Sequence, residues 1–244
     1  MDKIRMILLM FVRRIYFKFR GYRDEMLSKT TEFGLEGHRC IVAQPFLIVH
    51  PENVYMHEYA RINPNSVILS NKGKFVMGKY SVASIGLSVV PDMHTSTVGI
   101  PQCCLGASHI HDKIEDVIVD EDVWIGMNVT LLGGAHLHRG CIVGANTLLS
   151  KHFSPPPYSV VAGNPARIIA VKFNIEQILQ HEAKLYSSEE RFTREQLEEL
   201  FTKYYEGKRV FGVDANFSED DKTKLKNTMQ FIGFKYPEFD GSDI

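Results

Sequence analysis

The chain has 244 residues, 44% hydrophobic and 23% charged, the composition of an ordinary globular protein. Its 28 basic and 29 acidic residues leave a formal net charge of −1, which argues against a dedicated nucleic-acid binder with its basic face. Four cysteines (Cys40, Cys103, Cys104, Cys141) are too few in so long a chain for a disulfide framework and point to a reducing, cytoplasmic compartment.

The first predicted element lies in residues 1–40. "KIRMILLMFVRRIYFKFR" reads as a basic and apolar helix whose uninterrupted apolar run, Met6 to Val12, is far shorter than the ~20 residues of a membrane span. No small-residue cleavage site follows, so a signal peptide is not expected. The favoured reading is a helix packed on its own domain or on a neighbouring subunit. The competing one is peripheral contact with a membrane surface through residues 1–20, where Arg5, Arg13, Arg14, Lys18 and Arg20 are interleaved with aromatics.

Residues 41–172 carry a period of six. From Val119 the steps land on Ile125, Leu131, Leu137, Val143 and Leu149. Upstream, Met56, Ile62 and Ile68 keep the phase, "SNKGK" inserts three residues, and Met77, Ala83 and Val89 resume it. The fourth position after each marker is small or β-branched: Val123, Val129, Ala135, Cys141 and Thr147. Helices repeat near 3.6 and strands near 2, so neither alone explains a step of six. A short unit that cannot bury its apolar face alone must stack on copies of itself, here as a short strand followed by a tight corner. Residues 94–117 interrupt the pattern as an extended loop, the usual place for function on a repeat scaffold.

Residues 173–233 read as helices. Asn174 begins one; Thr193, with Gln196 three residues on, has capping-box spacing; Ser218 to Ile232 makes a third. Phe192 and Leu197 are placed to form a hydrophobic staple. Such helices are expected to cover the open end of the stack. Residues 234–244 read as a flexible tail.

"VWIGMNVTLLGGAHLHRGCIVGANTLLSKHFSPPPYSVVAGNPARII" resembles the hexapeptide-repeat acyltransferases, in their xenobiotic and sugar O-acetyltransferase branch. The resemblance covers roughly residues 54–172. It implies a mainly β protein built as a left-handed parallel β-helix, a homotrimer with sites between adjacent prisms, and transfer of acetyl from acetyl-CoA to a hydroxyl, less readily an amine, of a sugar or glycan precursor. No metal is required for that chemistry. In the family a histidine opens the extended loop before the "WIG" coil, and His94 holds that place. Such an imidazole, with an ordinary pKa of ~6.5, can take the hydroxyl proton. Asp92 is a candidate for orienting it, although a carboxylate in a turn is the commoner explanation. His109 and His111 in "ASHIHDK" are candidate acceptor contacts.

By the same resemblance, acetyl-CoA would meet Trp124, which position five of its repeat places outside, then Met127, Ala145, Ser150, Lys151 and Arg167. Met127 and Ser150 depart from the family pattern. Arg167 and Lys151 would serve the nucleotide phosphates. Two other classes stay open. The histidine pairs His109/His111 and His136/His138 could instead hold zinc as in the γ-class carbonic anhydrases, or the prism could be a non-catalytic assembly module. For Cys103 and Cys104 a plain loop pair is preferred over a redox site.

Overall fold

The six-residue step becomes a triangular column in the computed structural model, which describes residues 3–237. A long helix, α1 (Lys3–Thr30), precedes it. Five complete coils follow, with one strand of each coil on each of three parallel sheets. The first face stacks Leu35–Glu36, Val54–Met56, Phe75–Met77, Val117–Val119 and His136–Leu137. The second stacks Ile41–Val42, Arg61–Ile62, Val82–Ala83, Trp124–Ile125, Ile142–Val143 and, from a sixth coil, Ser159–Ala162. The third stacks Phe46–Val49, Ser66–Leu69, Ser88–Val90, Thr130–Leu132 and Leu148–Leu149. The prism therefore starts at Leu35, within the stretch assigned from sequence to the N-terminal segment.

The register explains the period. Met56, Met77, Val119 and Leu137 are successive partners on the first face. Ile62, Ala83, Ile125 and Val143 form the ladder of the second, and Ile68, Val89, Leu131 and Leu149 that of the third. All are buried, as are Val123, Val129, Ala135, Cys141 and Thr147 of the second inward position. Burying an Ile or Leu side chain contributes about 1.5–3 kcal/mol, so the ladders are the main source of the column's stability.

The corners are as regular as the ladders. Each passage from the first face to the second turns through the left-handed region at Arg39, Tyr59, Tyr80, Asp122, Gly140 and Tyr158. The corner between second and third faces does so at Asn65, Gly86, Asn128 and Asn146. Asn suits this conformation because its short polar side chain tolerates it. Gly140 is glycine for a further reason: a Cβ there would lie 2.5 Å from the Tyr158 ring.

Residues 94–117 leave from the corner between third and first faces and contain α2 (Gln102–Ser108). After the sixth coil, Arg167–Val171 returns antiparallel on Ser159–Ala162. Then come α3 (Ile175–Leu185), α4 (Arg194–Tyr204) and α5 (Glu219–Ile232). Asn174 with Gln177 and Thr193 with Gln196 form reciprocal capping boxes, and Ser218 caps α5. Phe192 and Leu197 share an apolar cluster with Tyr158, Val171, Ile178 and Tyr205.

These helices pack on the sixth coil, where Tyr158 shares their apolar cluster and the Tyr205 hydroxyl meets Pro157 and Ser159. They run back along the first corner of the column: Asp122 accepts from Lys172 and His181, Arg139 reaches Glu182, and Lys79 pairs with Glu190. Near the first coils, Phe234 packs edge-on against Tyr59 and Tyr80, and the Tyr59 hydroxyl donates to the Gly233 carbonyl at 3.2 Å. Of the stretch read as a flexible tail, Phe234 is thus docked, and residues 238–244 lie outside the described residues. The expectation that α1 packs on its own domain also fails. Its described apolar side chains are exposed, and none belongs to a core cluster of the described residues.

Candidate active site

The loop is pinned where it leaves the prism. Asp92–Met93 pairs antiparallel with Lys113–Ile114, so the chain returns beside its exit. Asp92 accepts from the backbone N–H groups of Lys72 and Gly73 at 3.1 and 2.9 Å. Its carboxylate is spent on the preceding turn, the reading preferred from sequence, and not on orienting His94. That role falls to Asp112. His94 Nδ1 and Asp112 Oδ1 lie 2.8 Å apart, and His109 Nδ1 lies 2.8 Å from the other oxygen, Oδ2.

A carboxylate can only accept, so Nδ1 of His94 donates to it, and in the neutral ring Nε2 is the nitrogen that carries the lone pair. The hydrogen bond from His94 is the main cause holding the Asp112 carboxyl below the usual carboxylate range; partial burial opposes it and His109 assists. His94 is 39% exposed and Asp112 only 5%. Gly106 of α2 faces the imidazole, and a Cβ there would lie 4.0 Å from Nε2. His109 ends α2 in the left-handed conformation, and His111 Nδ1 sits 3.2 Å from Thr97 Oγ1. Asp112 was missed in the sequence, where it looks like any loop acid after "HIH".

The residues assigned to the nucleotide cofactor fall into two groups. Trp124 stands on the second face between Val82 and Ile142, with its indole outward and 52% exposed. Met127 and Ala145 lie one coil apart on the next corner, both exposed, and the Asn146 N–H donates to the Met127 carbonyl at 2.8 Å. A Cβ on Gly126 would come within 2.7 Å of the Ala145 nitrogen, so glycine keeps this shelf flat. Arg167 is exposed at the far end of the same region, with its guanidinium on the Ala166 carbonyl.

Ser150 and Lys151 lie elsewhere, at the corner from which the loop departs. Lys151 Nζ is 2.7 Å from Glu115 Oε1. On one prism the loop histidines and the indole shelf therefore stand on different corners, with the third face between them. Two concavities of the surface, about 680 Å³ along α1 and about 420 Å³ beside Asp120, include neither His94 nor Trp124.

Two side-chain groups have convergent metal-type donors among the described residues. One is His94, His109 and Asp112. The other is Asp120 with His136 and His138, at 2.9 and 3.2 Å, on the first face, where both histidines point outward as the repeat requires. Each group pairs two imidazoles with a carboxylate rather than presenting three histidines. The thiols divide clearly. Cys103 and Cys104 are exposed on α2, whereas Cys141 is buried and its thiol is pushed up to about 12, so it is inert at neutral pH.

Residues 116–151 match the bacterial transferase hexapeptide family, six repeats. The prism is a hexapeptide-repeat left-handed β-helix. Over 99 residues the chain is 39% identical to a probable macrolide acetyltransferase of Lysinibacillus sphaericus, covering 36% of this chain and 54% of that protein. Over 154 residues it is 31% identical to the polysialic acid O-acetyltransferase of Escherichia coli O1:K1, covering 54% and 49%. The chain thus spans about half the length of these curated relatives. Among solved structures, a hexapeptide-repeat acetyltransferase of Vibrio cholerae complexed with acetyl coenzyme A superposes with a TM-score of 0.53 at 23% identity, covering 62% of this chain and 77% of that one. That likeness establishes the fold of the hexapeptide-repeat column.

Proposed function

We propose that the chain is an acetyl-CoA-dependent O-acetyltransferase acting on a hydroxyl of a sugar or polysaccharide precursor, with His94 as general base. The observation that carries this reading is the His94–Asp112 pair at the root of the loop, with Nε2 open. The acceptor class is supported by the relative named as a polysialic acid O-acetyltransferase.

In the reaction, Nε2 of His94 takes the hydroxyl proton as the oxygen attacks the thioester carbonyl. The tetrahedral oxyanion collapses, the C–S bond breaks, and the imidazolium returns its proton to the leaving sulfur. Base assistance of this kind contributes ~10²–10⁴ in rate. Asp112 fixes the tautomer and offsets the charge that forms on the ring. Trp124, Met127, Ala145 and Arg167 would line the donor's path. Lys151 must exchange Glu115 for a phosphate if it takes part.

The separation of loop and shelf on one prism supports a trimer in which the histidine edge of one copy faces the indole edge of the next. His94→Ala tests the assignment. Acetyl transfer, read as released thiol, is expected to fall by ~10²–10⁴ with acetyl-CoA affinity retained. Undiminished turnover would remove His94 from the mechanism. A zinc hydratase would need metal at the histidine–aspartate groups, and stoichiometric zinc in the purified protein would favour it over acyl transfer.

A further inference from the structure

Helix α1 has no role in the proposed chemistry, yet its composition is extreme. Residues 3–20 comprise six basic residues, twelve apolar or aromatic ones and no acid. From Met6 to Phe19 the apolar side chains are between 40 and 71% exposed. At 100° per residue, Leu8, Val12, Ile15 and Phe19 share one side, while Met10 and Phe17 lie opposite. A partner helix would cover the first stripe and leave the second in water. A hydrocarbon boundary covers both.

The order along the helix has a direction too. Met6–Val12 is apolar all round and spans ~10 Å, less than one leaflet of a ~30 Å hydrocarbon core. Arg13, Arg14, Tyr16, Lys18 and Tyr22 follow, the residue types that sit at headgroups, where basic side chains extend toward phosphate and aromatics bridge the interface. No helix among the described residues is long and apolar enough to cross a membrane.

We propose that α1 is a one-leaflet anchor that binds the protein to bilayers rich in anionic lipids. The apolar turns enter the leaflet, and Arg13, Arg14 and Lys18 select negative headgroups. The anchor is independent of the acyl-transfer reading, because it requires neither His94 nor acetyl-CoA.

Co-sedimentation of the full chain with vesicles tests it, comparing phosphatidylglycerol mixed with phosphatidylcholine against phosphatidylcholine alone. Binding to the anionic vesicles is expected, weakening as salt rises. Arg13→Gln with Arg14→Gln should lower the partition by about twenty-five-fold, since each basic residue near such a surface is worth about fivefold. Leu9→Asp with Met10→Asp should abolish it. The melting temperature of the column should not move, because these side chains lie outside its core. Failure to pellet with anionic vesicles, or pelleting indifferent to both double variants, would overturn the anchor. So would a change of particle mass in lipid-free solution without vesicle binding, which would assign the helix to a second copy of the chain.

Discussion

At His94 the local chemistry turns on one oxygen atom. Asp112 Oδ1 holds the ring nitrogen at 2.8 Å, and the carboxylate is kept ionised by that contact. Replacing it with asparagine preserves shape and removes the obligation to accept. The amide can then donate to Nδ1, which moves the ring proton to Nε2 and takes away the base. Asp112→Asn should therefore lower kcat by on the order of a hundredfold or more, with KM for acetyl-CoA little changed. An unaltered kcat would show that Asp112 only shapes the loop. The position of His94 at the mouth of the interruption was legible in the sequence. Asp112 was not, because an 18-residue excursion had to fold back before its carboxylate met the ring. Asp92, two residues from His94, was the nearer guess and is occupied by Lys72 and Gly73.

Among the elements, the strands were the most legible part of the chain, since an inward residue every sixth position is a direct record of stacked faces. The helices were legible one by one through their caps. Their route along the first corner was not, because it is set by pairs far apart in sequence. Asp122 shows this: it binds Lys172 Nζ at 2.5 Å and His181 Nε2 at 2.9 Å. Burial acts to raise the Asp122 carboxyl, but the His181 hydrogen bond and the Lys172 charge outweigh it and hold the group below its ordinary value. A carboxyl depressed on folding adds stability that is complete above the unfolded value of ~3.9 and is lost as pH falls through the lower folded one. Asp122→Asn should thus cost ~1–3 kcal/mol near neutrality, where Lys172 loses its counter-charge, and the difference from the parent should shrink in strong acid. Urea titrations across that range check it; a gap independent of pH would remove the linkage.

For the molecule as a whole, the loop, the indole shelf and the covered corner are consistent with the proposed trimer. The C-terminal helices occupy the first corner, so the indole shelf on the second and the loop on the third are left for neighbours. Nothing in the period of six reports which edges meet; the expectation of a site between adjacent prisms came only from the resemblance, and the loop histidines and the indole shelf lie on different corners of one prism. The sharpest test mixes two impaired proteins. His94→Ala and Trp124→Ala chains, each expected to have lost most acetyl transfer, are unfolded together, refolded and assayed with acetyl-CoA. A site shared between copies predicts that activity returns, because some interfaces then join an intact His94 to an intact Trp124. A mixture that forms mixed oligomers and stays as inactive as its components would contradict the account.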